Sequence, residues 1–315
     1  MFQDTTLMNE STSLIAIEQF LEDVYNGYYI HDDEEFKHQL IEAVLVFKLV
    51  HREDLTYCHV VRIMKRVLIL VDYALEKLEL HAYEDILKFE QHHIFHIQSM
   101  VQYEMKSALC ERVEFKHREE CNAIKLERYL NKLVTHYARL LFVRVDLSIL
   151  QEYQDNWDIA DFSMTLAILR NRIANQDGCF SDLQGYAWAL EQGIKKGYHC
   201  HLLLIYDGNK HWDDSGLAKM VSTLWNEITM KQGTYYNCNS EENKKKFERN
   251  GLLGIGMIHR NQALEVENAI RTAMYLANPD KKGQHMRVKT SPQMKTFCIG
   301  QFKVGWRRGL KEYSF

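Results

Sequence analysis

The sequence predicts an α+β protein, in which an all-helical N-terminal region precedes an antiparallel β-sheet with helices packed on one face. Three observations support this prediction. Apolar residues recur at helical spacing through residues 12–139, and no proline occurs before Pro279. At Leu140 the pattern changes to short runs of alternating, β-branched residues. At 315 residues the chain also exceeds the usual size of one domain, so two domains are expected.

The clearest helical pattern closes the N-terminal region. Its apolar residues lie at i, i+4, i+7, i+8 and i+11, namely Leu126, Leu130, Leu133, Val134 and Tyr137. Residues so spaced share one face of a helix, which can pack against a neighbouring element. Because nothing in this half of the chain indicates chemistry, we assign residues 1–139 to a helical domain or arm.

The second half alternates between strands and helices in the order β-α-β-β-α-β-α-β. Strands are predicted at residues 141–147, 185–191, 198–206, 252–258 and 296–304. Helices are predicted at roughly 159–175, 213–231 and 263–277. A short loop, QGIKKG, makes the second and third strands a hairpin. We assign residues 140–305 to this domain and residues 306–315 to a basic C-terminal tail.

Composition excludes several classes of protein. With 46% hydrophobic and 26% charged residues, the chain is globular and not disordered. No apolar run approaches the roughly 20 residues that cross a bilayer, and the acidic, polar N-terminus lacks the layout of a signal peptide. We therefore expect a cytoplasmic protein without a membrane partner. Seven cysteines without a CxxC pair favour reduced thiols over a disulfide framework or a structural zinc site.

Charge is unevenly distributed along the chain. The net charge is −4, but the segment from Lys281 to Phe315 carries nine Lys or Arg and one Glu, so the acidic excess lies in the rest. A basic segment on an acidic body suggests a local anion-binding surface, although a solvated face has the same composition. The residues expected to contact nucleic acid at the start of this segment are Lys281, Lys282, Arg287 and Lys289.

The most informative segment is YAWALEQGIKKGYHCHLLLIYD, residues 186–207. His199 and His201 lie two apart on a predicted strand, so their imidazoles emerge from the same face and Cys200 points the other way. Glu191 ends the preceding strand of the hairpin. Across the short turn, its carboxylate can lie beside the two imidazoles.

This arrangement suits a divalent metal. Two neutral imidazoles and one carboxylate, with coordination positions left open, can hold Mg²⁺ or Mn²⁺ together with phosphate oxygens. In the plainer interpretation, the two histidines of a half-exposed strand form hydrogen bonds with their neighbours. An HxH pair alone is weak evidence, but its place in an apolar strand after a Glu and a glycine-containing turn favours the metal site.

Glu191 followed by GYHCHLLLIY resembles the metal-binding hairpin of the HUH rolling-circle replication endonucleases. The C-terminal half is most similar to the replication-protein-like family of filamentous phages (inoviruses), also found in prophages and other mobile elements. The resemblance rests on FVRVDLS at 142–148, the hairpin, MIHRNQALEVENAIRTAMYLAN at 257–278 and MRVKTSPQMKTFCIGQF at 286–302. These segments occur in the order of the family and span about half the chain.

The resemblance implies a ferredoxin- or RRM-like HUH sheet and a site-specific endonuclease. Such an enzyme nicks and joins single-stranded DNA at a replication origin through a tyrosine–5′-phosphate intermediate, with a divalent metal polarising the phosphate. The nick leaves a 3′-hydroxyl for a host polymerase, so host replication proteins are further expected partners. Glu191, His199 and His201 are the implied metal ligands.

Tyr275 is the expected nucleophile. The apolar stripe of its predicted helix consists of Val266, Ala269, Ile270, Ala273 and Ala277. Tyr275 lies almost opposite this stripe, so it is not a core residue. A phenol with a pKa of about 10 needs a nearby cation to react as phenolate, and we expect Arg271 and the metal to supply it. A surface tyrosine beside an arginine is the plainer interpretation.

Three other tyrosines lie near the predicted site. Tyr235 and Tyr236 fall in a predicted loop and are the next candidates for the nucleophile. Tyr198 should face away from the two histidines, because it precedes His199 on the same strand.

Arg144 and Asp146 share one face of the first strand of the domain. If that strand neighbours the hairpin, Asp146 would assist the metal and Arg144 would meet a phosphate. An ion pair at a strand edge is the alternative.

Asn278 departs from the family pattern, which usually has a lysine three residues after the tyrosine. Either Lys281 and Lys282 substitute from the following loop, or the site is inactive. The competing function is therefore a catalytically degenerate HUH-fold protein that binds DNA as a regulator. A phosphoesterase of the two-histidine, RNA-ligase-like class ranks below both, because it needs two separate H-x-T/S motifs that this chain does not place suitably.

Overall fold

A computed structural model of the protein describes residues 9–277 and 283–302. Its α-helices are α1 (Glu10–Tyr25), α2 (Asp33–Val50), α3 (His59–Lys77), α4 (Gln91–His136), α5 (Ile159–Asn175), α6 (Asp214–Ile228), α7 (Glu241–Glu248) and α8 (Ala263–Met274). Its strands are β1 (Thr56–Tyr57), β2 (Arg139–Ile149), β3 (Leu183–Gly193), β4 (Gly197–Asp207), β5 (Gly233–Asn237), β6 (Gly256–His259), β7 (Val288–Lys289) and β8 (Phe297–Ile299). No helix in these ranges combines the length and apolar character needed to cross a membrane.

Within the described residues, the main sheet has six antiparallel strands. Five follow the order β5-β2-β4-β3-β8, and β6 pairs with β2 beside β5. Its centre is formed by β2, β3 and β4, which are 11 residues long each. The predicted hairpin is confirmed as β3–β4. Gly197 begins β4 with a φ of +58°, a backbone conformation that side chains disfavour. The α+β class is therefore confirmed.

Helices cover both faces of the sheet, so the expectation of helices on one face was wrong. On one face, α5 and α6 bury Phe162 and Trp225 against Leu147 and Leu202. On the other face, α8 and the end of α4 pack against the sheet. The second layer was missed because α4 belongs to the half of the chain whose pattern indicated a separate helical region.

The long helix α4 joins the two halves of the chain. It runs unbroken for 46 residues, and the predicted stripe at its C-terminal end is confirmed. Leu126, Leu130 and Leu133 are fully buried and share one core with Phe142 and Ile205 of the sheet. A boundary at residue 139 therefore marks the change from helix to strand and does not separate two cores.

The remaining strands differ in extent from their predictions. The predicted strand at 252–258 is only β6, four residues long, and that at 296–304 is the three-residue β8 within the described residues. Tyr235 and Tyr236, placed in a loop by the sequence, lie in β5 at the sheet edge. Edge strands of this length have too few residues for an alternating pattern to become visible.

Candidate metal centre

The second face of the sheet changes from apolar to polar along its strands. Under α4 and α8 it presents apolar residues such as Phe142, Ala189 and Leu203. Further along β4, on the same face, it presents His201 and then His199. The apolar part of this face therefore gives way to a polar cluster. The change occurs at the point along the strands where α4 and α8 no longer pack on the sheet with apolar side chains.

Glu191, His199 and His201 meet in this cluster. Glu191 pairs directly across the hairpin with His199, and all three residues are buried, each with 3–6% of its total surface exposed. The Glu191 Oε2 atom lies 3.2 Å from His201 Nε2 and 3.6 Å from His199 Nε2. One possible ligand atom from each residue lies within 4.8 Å of the other two. The predicted convergence of these residues is therefore present in the structure.

The outer nitrogens of both imidazoles are held by acceptors. His199 Nδ1 lies 3.1 Å from the carbonyl oxygen of Gly197, and His201 Nδ1 lies 2.6 Å from Asp146 Oδ1. Carbonyl and carboxylate oxygens accept hydrogen bonds, so each Nδ1 donates, and whenever the ring is neutral its lone pair is on Nε2, the nitrogen that faces Glu191. Such partners fix the tautomer and orientation of metal-binding histidines. Asp146 therefore positions His201.

The charges around His201 and Asp146 shift the pKa values of both side chains. Burial alone would lower the pKa of His201, but hydrogen bonds with Asp146 and Glu191 raise it above its ordinary 6.5. Burial alone would raise the pKa of Asp146, but His201, Arg144 and Lys196 lower it below its ordinary 3.8. The cluster therefore favours a positive charge at the position between His201 and Glu191.

Tyr275 lies at the edge of the same cluster. It begins the short 3-10 turn Tyr275–Ala277 after α8, and 41% of its surface is exposed. Its ring centre lies 5.6 Å from that of His201, edge to face, and the Arg144 guanidinium lies 4.6 Å from it. Burial and the charge of Glu191 raise the pKa of the Tyr275 phenol, while Arg144 opposes this shift.

A comparison with family models identifies this part of the chain. Residues 100–291, more than half of the sequence, match the YagK/YfjJ C-terminal domain. The chain belongs to this family. No curated protein and no solved structure matches the chain. The YagK/YfjJ match begins inside α4 and includes the whole cluster, in agreement with the packing of α4 on the sheet.

Arg271 of the YagK/YfjJ domain does not have the expected role at Tyr275. Its guanidinium is exposed and forms an ion pair with Glu267 one turn earlier, at 2.6 Å. Among the described residues, Arg144 is the cation over the phenol ring, and the sequence predicted a phosphate contact for it. The sequence suggested Arg271 because it precedes Tyr275 by one helical turn. Helical spacing does not show which side chain of β2 lies under α8, so the contact with Arg144 could not be predicted.

The predicted nucleic-acid contact at Arg287 is also wrong, because this residue has a structural role. Only 3% of its surface is exposed, and its guanidinium contacts Glu18 Oε2 at 2.6 Å. Its backbone N–H donates to Gln192 Oε1 at 2.8 Å. A buried guanidinium paired with a carboxylate cannot serve as a phosphate contact on the surface, and it instead ties α1 to the segment before β7.

The rest of the predicted DNA-binding segment is only partly described. Lys289 is half-buried in β7, opposite Thr56, and burial followed by the charge of Arg118 lowers its pKa. Lys281 and Lys282 lie outside the described residues, as does Asn278.

Tyr198 faces away from the histidines, as predicted, and its hydroxyl donates to Glu10.

A second group of possible ligands, Glu18, Cys58 and His285, is better explained as an ion-pair network. Glu18 contacts Arg287 and Arg112. Burial opposes its ionisation, but contacts with His285 and both arginines outweigh burial and lower its pKa to about 2. Burial, followed by the charge of Glu18, raises the pKa of the Cys58 thiol to about 12. A cation would have to displace two arginines and bind a protonated thiol.

Sequence reasoning missed Lys196 at this site. Its Nζ lies 3.8 Å from Asp146 Oδ2, and half of its side chain is exposed. The signal was the pair Lys195–Lys196 in the hairpin turn, since a tight turn brings its residues close to the ends of both strands.

Proposed function

We propose that this protein is a metal-dependent endonuclease that nicks and rejoins single-stranded DNA. The HUH endonucleases, whose metal-binding hairpin is similar to β3–β4, act in this way. The observation that carries the proposal is the meeting of a buried His–His–Glu cluster with Tyr275. A partly exposed phenol beside three possible metal ligands is the arrangement needed to attack a metal-bound phosphodiester. The biological setting proposed is rolling-circle replication of a phage or other mobile element.

The cluster suits a divalent cation. Its donors are two imidazole nitrogens with their outer nitrogens already hydrogen-bonded and one carboxylate, so Glu191, His199 and His201 would hold the ion. Mg²⁺ or Mn²⁺ is expected, and the two nitrogen donors favour Mn²⁺, because imidazole suits transition metals better than Mg²⁺. A bound cation withdraws charge from a phosphate oxygen and stabilises the charge that develops in phosphoryl transfer.

The residues of the chain supply the remaining chemistry. The Tyr275 oxygen forms a bond to phosphorus while the bond from phosphorus to the 3′-oxygen breaks. The phenol proton is lost, and the departing 3′-oxygen takes up a proton. Arg144, over the ring of Tyr275, favours the phenolate over the phenol. The 5′ end remains on Tyr275 as an ester, so the reverse reaction rejoins the strand without ATP.

The proposal is tested by nicking of labelled single-stranded oligonucleotides of varied sequence, resolved on a denaturing gel, with Mn²⁺, Mg²⁺, Zn²⁺ or EDTA. We expect cleavage with Mn²⁺, none in EDTA and none for a variant carrying both His199→Ala and His201→Ala. A variant carrying His92→Ala and His96→Ala, exposed histidines of α4, is the matched control and should cleave like wild type.

The competing function is a degenerate DNA-binding regulator, for which Asn278 is the motivation. Strand binding without cleavage by the wild-type protein, across all metals and sequences, would favour the regulator and reject the nuclease.

A further inference from the structure

An open cavity of about 270 Å³ lies beside the candidate metal centre. Its lining combines β2, the following turn, the β3–β4 turn and β5, with Asp146, Ser148, Ile149, Gln151, Gln154, Lys195, Lys196, Thr234, Tyr235 and Tyr236. Asp146, which hydrogen-bonds to His201, therefore belongs to both the cavity and the metal centre. Tyr275 is not among the described residues that line the cavity. Apart from Asp146, no residue that lines the cavity has a role in the chemistry proposed above.

The sheet aligns this cavity with the metal centre. Tyr236 pairs with Asp146 across β5 and β2, and Asp146 pairs with His201 across β2 and β4. Directly paired residues project from the same face of a sheet. With neighbouring strands about 4.8 Å apart, the Tyr236 backbone lies about 10 Å from that of His201. The cavity and the metal centre are therefore close enough for one bound strand to contact both.

The aromatic side of the cavity is exposed and held in place. Tyr236, whose side chain shares the face of Asp146, is 49% exposed. The Tyr236 hydroxyl donates to Asn243 Oδ1 of α7 at 3.0 Å, which fixes the ring at the sheet edge. An exposed, anchored aromatic ring is a surface on which an unpaired base can stack.

The opposite side of the cavity is basic. Lys195 and Lys196 are both exposed at the tip of the β3–β4 hairpin. Lys196 reaches towards Asp146 and so stands between the cavity and the metal centre. A cation pair facing an exposed aromatic ring complements a single nucleic-acid strand, whose phosphates need cations and whose bases need stacking partners.

We propose that this cavity, called the Tyr236 groove, binds the nucleotide next to the phosphate that is cut. Its base stacks on Tyr236 and its phosphate lies against Lys195 and Lys196. The inference rests on the proposed function, which supplies single-stranded DNA as the substrate. At about 270 Å³ the open groove is near the lower end of the roughly 300–1,000 Å³ range of small-molecule sites, so it has room for one nucleotide and not for a longer stretch of strand. A base inside a duplex has no free face for such stacking.

The test is fluorescence anisotropy of the 315-residue chain with a labelled strand of about 30 nucleotides and mixed sequence, in EDTA, which prevents cleavage. Tyr236→Ala should weaken binding by roughly fivefold to a hundredfold, the effect of losing one stacked base. Tyr236→Phe keeps the ring and should bind like wild type. Tyr103→Ala, which removes a tyrosine 71% exposed on α4, is the matched control and should have no effect.

The lysines are tested by the salt dependence of the same binding. Replacing Lys195 and Lys196 with Gln should reduce the slope of log affinity against log salt by about 0.7 for each phosphate that is no longer neutralised. Lys77→Gln with Lys106→Gln is the control pair. Circular dichroism of each variant confirms that the fold is retained.

Three outcomes would overturn the inference. Tyr236→Ala binding like wild type would show that no base stacks there. Tyr236→Phe as weak as Tyr236→Ala would assign the effect to the hydroxyl instead of the ring. Equal losses on a labelled duplex would show that the groove does not select a single strand. Failure of the proposed function is separate: the groove variants would then alter strand binding while the wild type cuts no strand with any metal.

Discussion

Replacing Arg287 separates its structural role from the DNA contact that the sequence suggested. Arg287→Met removes the guanidinium and leaves the Glu18 carboxylate, whose side chain is 5% exposed, with Arg112 and His285 as partners. Removing one member of a buried ion pair costs about 3–5 kcal/mol, because the other charge stays buried without compensation.

The pKa of Glu18 gives an independent magnitude. Burial opposes ionisation of this carboxyl, but contacts with His285, Arg287 and Arg112 outweigh burial and lower its pKa from 4.5 to about 2. At about 1.4 kcal/mol per pKa unit, this shift corresponds to about 3 kcal/mol in favour of the charged form, summed over His285, Arg287 and Arg112 and net of the cost of burial. A depressed carboxylate pKa stabilises the folded state above pH 4.5, and this contribution is lost as the pH falls towards 2.

The assay is urea unfolding at pH 7, followed by circular dichroism. Arg287→Met should lower the free energy of unfolding by about 3 kcal/mol or more. Arg62→Met is the matched control, because it breaks an exposed ion pair with Glu111 and should cost less than about 1 kcal/mol. The urea unfolding of Glu18→Gln and of wild type is then repeated between pH 6 and pH 3. The difference between their free energies of unfolding should shrink as the pH falls. Unchanged unfolding of Arg287→Met together with weaker DNA binding would refute the structural role.

Three further predictions concern the metal centre and its surroundings. Asp146→Asn should lower Mn²⁺ affinity about 10- to 100-fold by isothermal titration calorimetry, since it disturbs the partner that orients His201; an unchanged affinity would exclude this role. The raised pKa of His201 means that protons compete with the metal, so affinity should fall as the pH drops through that pKa; the same titration at several pH values would reject this if the affinity were constant. Changing Lys281 and Lys282 to Gln should flatten the salt dependence of strand binding by about 0.7 for each phosphate that these lysines neutralise, and an unchanged slope would place the DNA path elsewhere.

The hairpin and its cluster could be predicted from sequence because their determinants are local. Alternation on β4 placed His199 and His201 on one face, and a short turn brought Glu191 opposite His199. Tyr198, one residue earlier, then had to face the other way. Periodicity and turn length alone fix these relations.

The errors concern contacts between segments far apart in the sequence. Arg144 contacts Tyr275 across more than a hundred residues, and Arg287 pairs with Glu18 across 269 positions. A basic segment and a helical i, i+4 neighbour were the available signals, and both indicated solvent-exposed cations. Neither pattern encodes which cation becomes buried, because that depends on how α1 and α8 dock on the sheet.

The layer formed by α4 was missed for a related reason. Its stripe, from Leu126 to Tyr137, was recognised, but an apolar helix face does not specify whether its partner is another helix or a sheet. The family match, which begins at residue 100, agrees with the packing in including this part of α4 in the C-terminal domain.

The most direct test of the proposed chemistry is to locate the covalent bond between protein and DNA. Wild-type protein is incubated with Mn²⁺ and a labelled strand that it cuts, digested with protease, and the nucleotide-bearing peptide is sequenced by mass spectrometry. We expect a 5′-phosphate ester on Tyr275, absent from Tyr275→Phe protein that still binds the strand. An adduct on Tyr235 or Tyr236 instead, or cleavage by Tyr275→Phe at the wild-type rate, would contradict the assignment of Tyr275 as nucleophile.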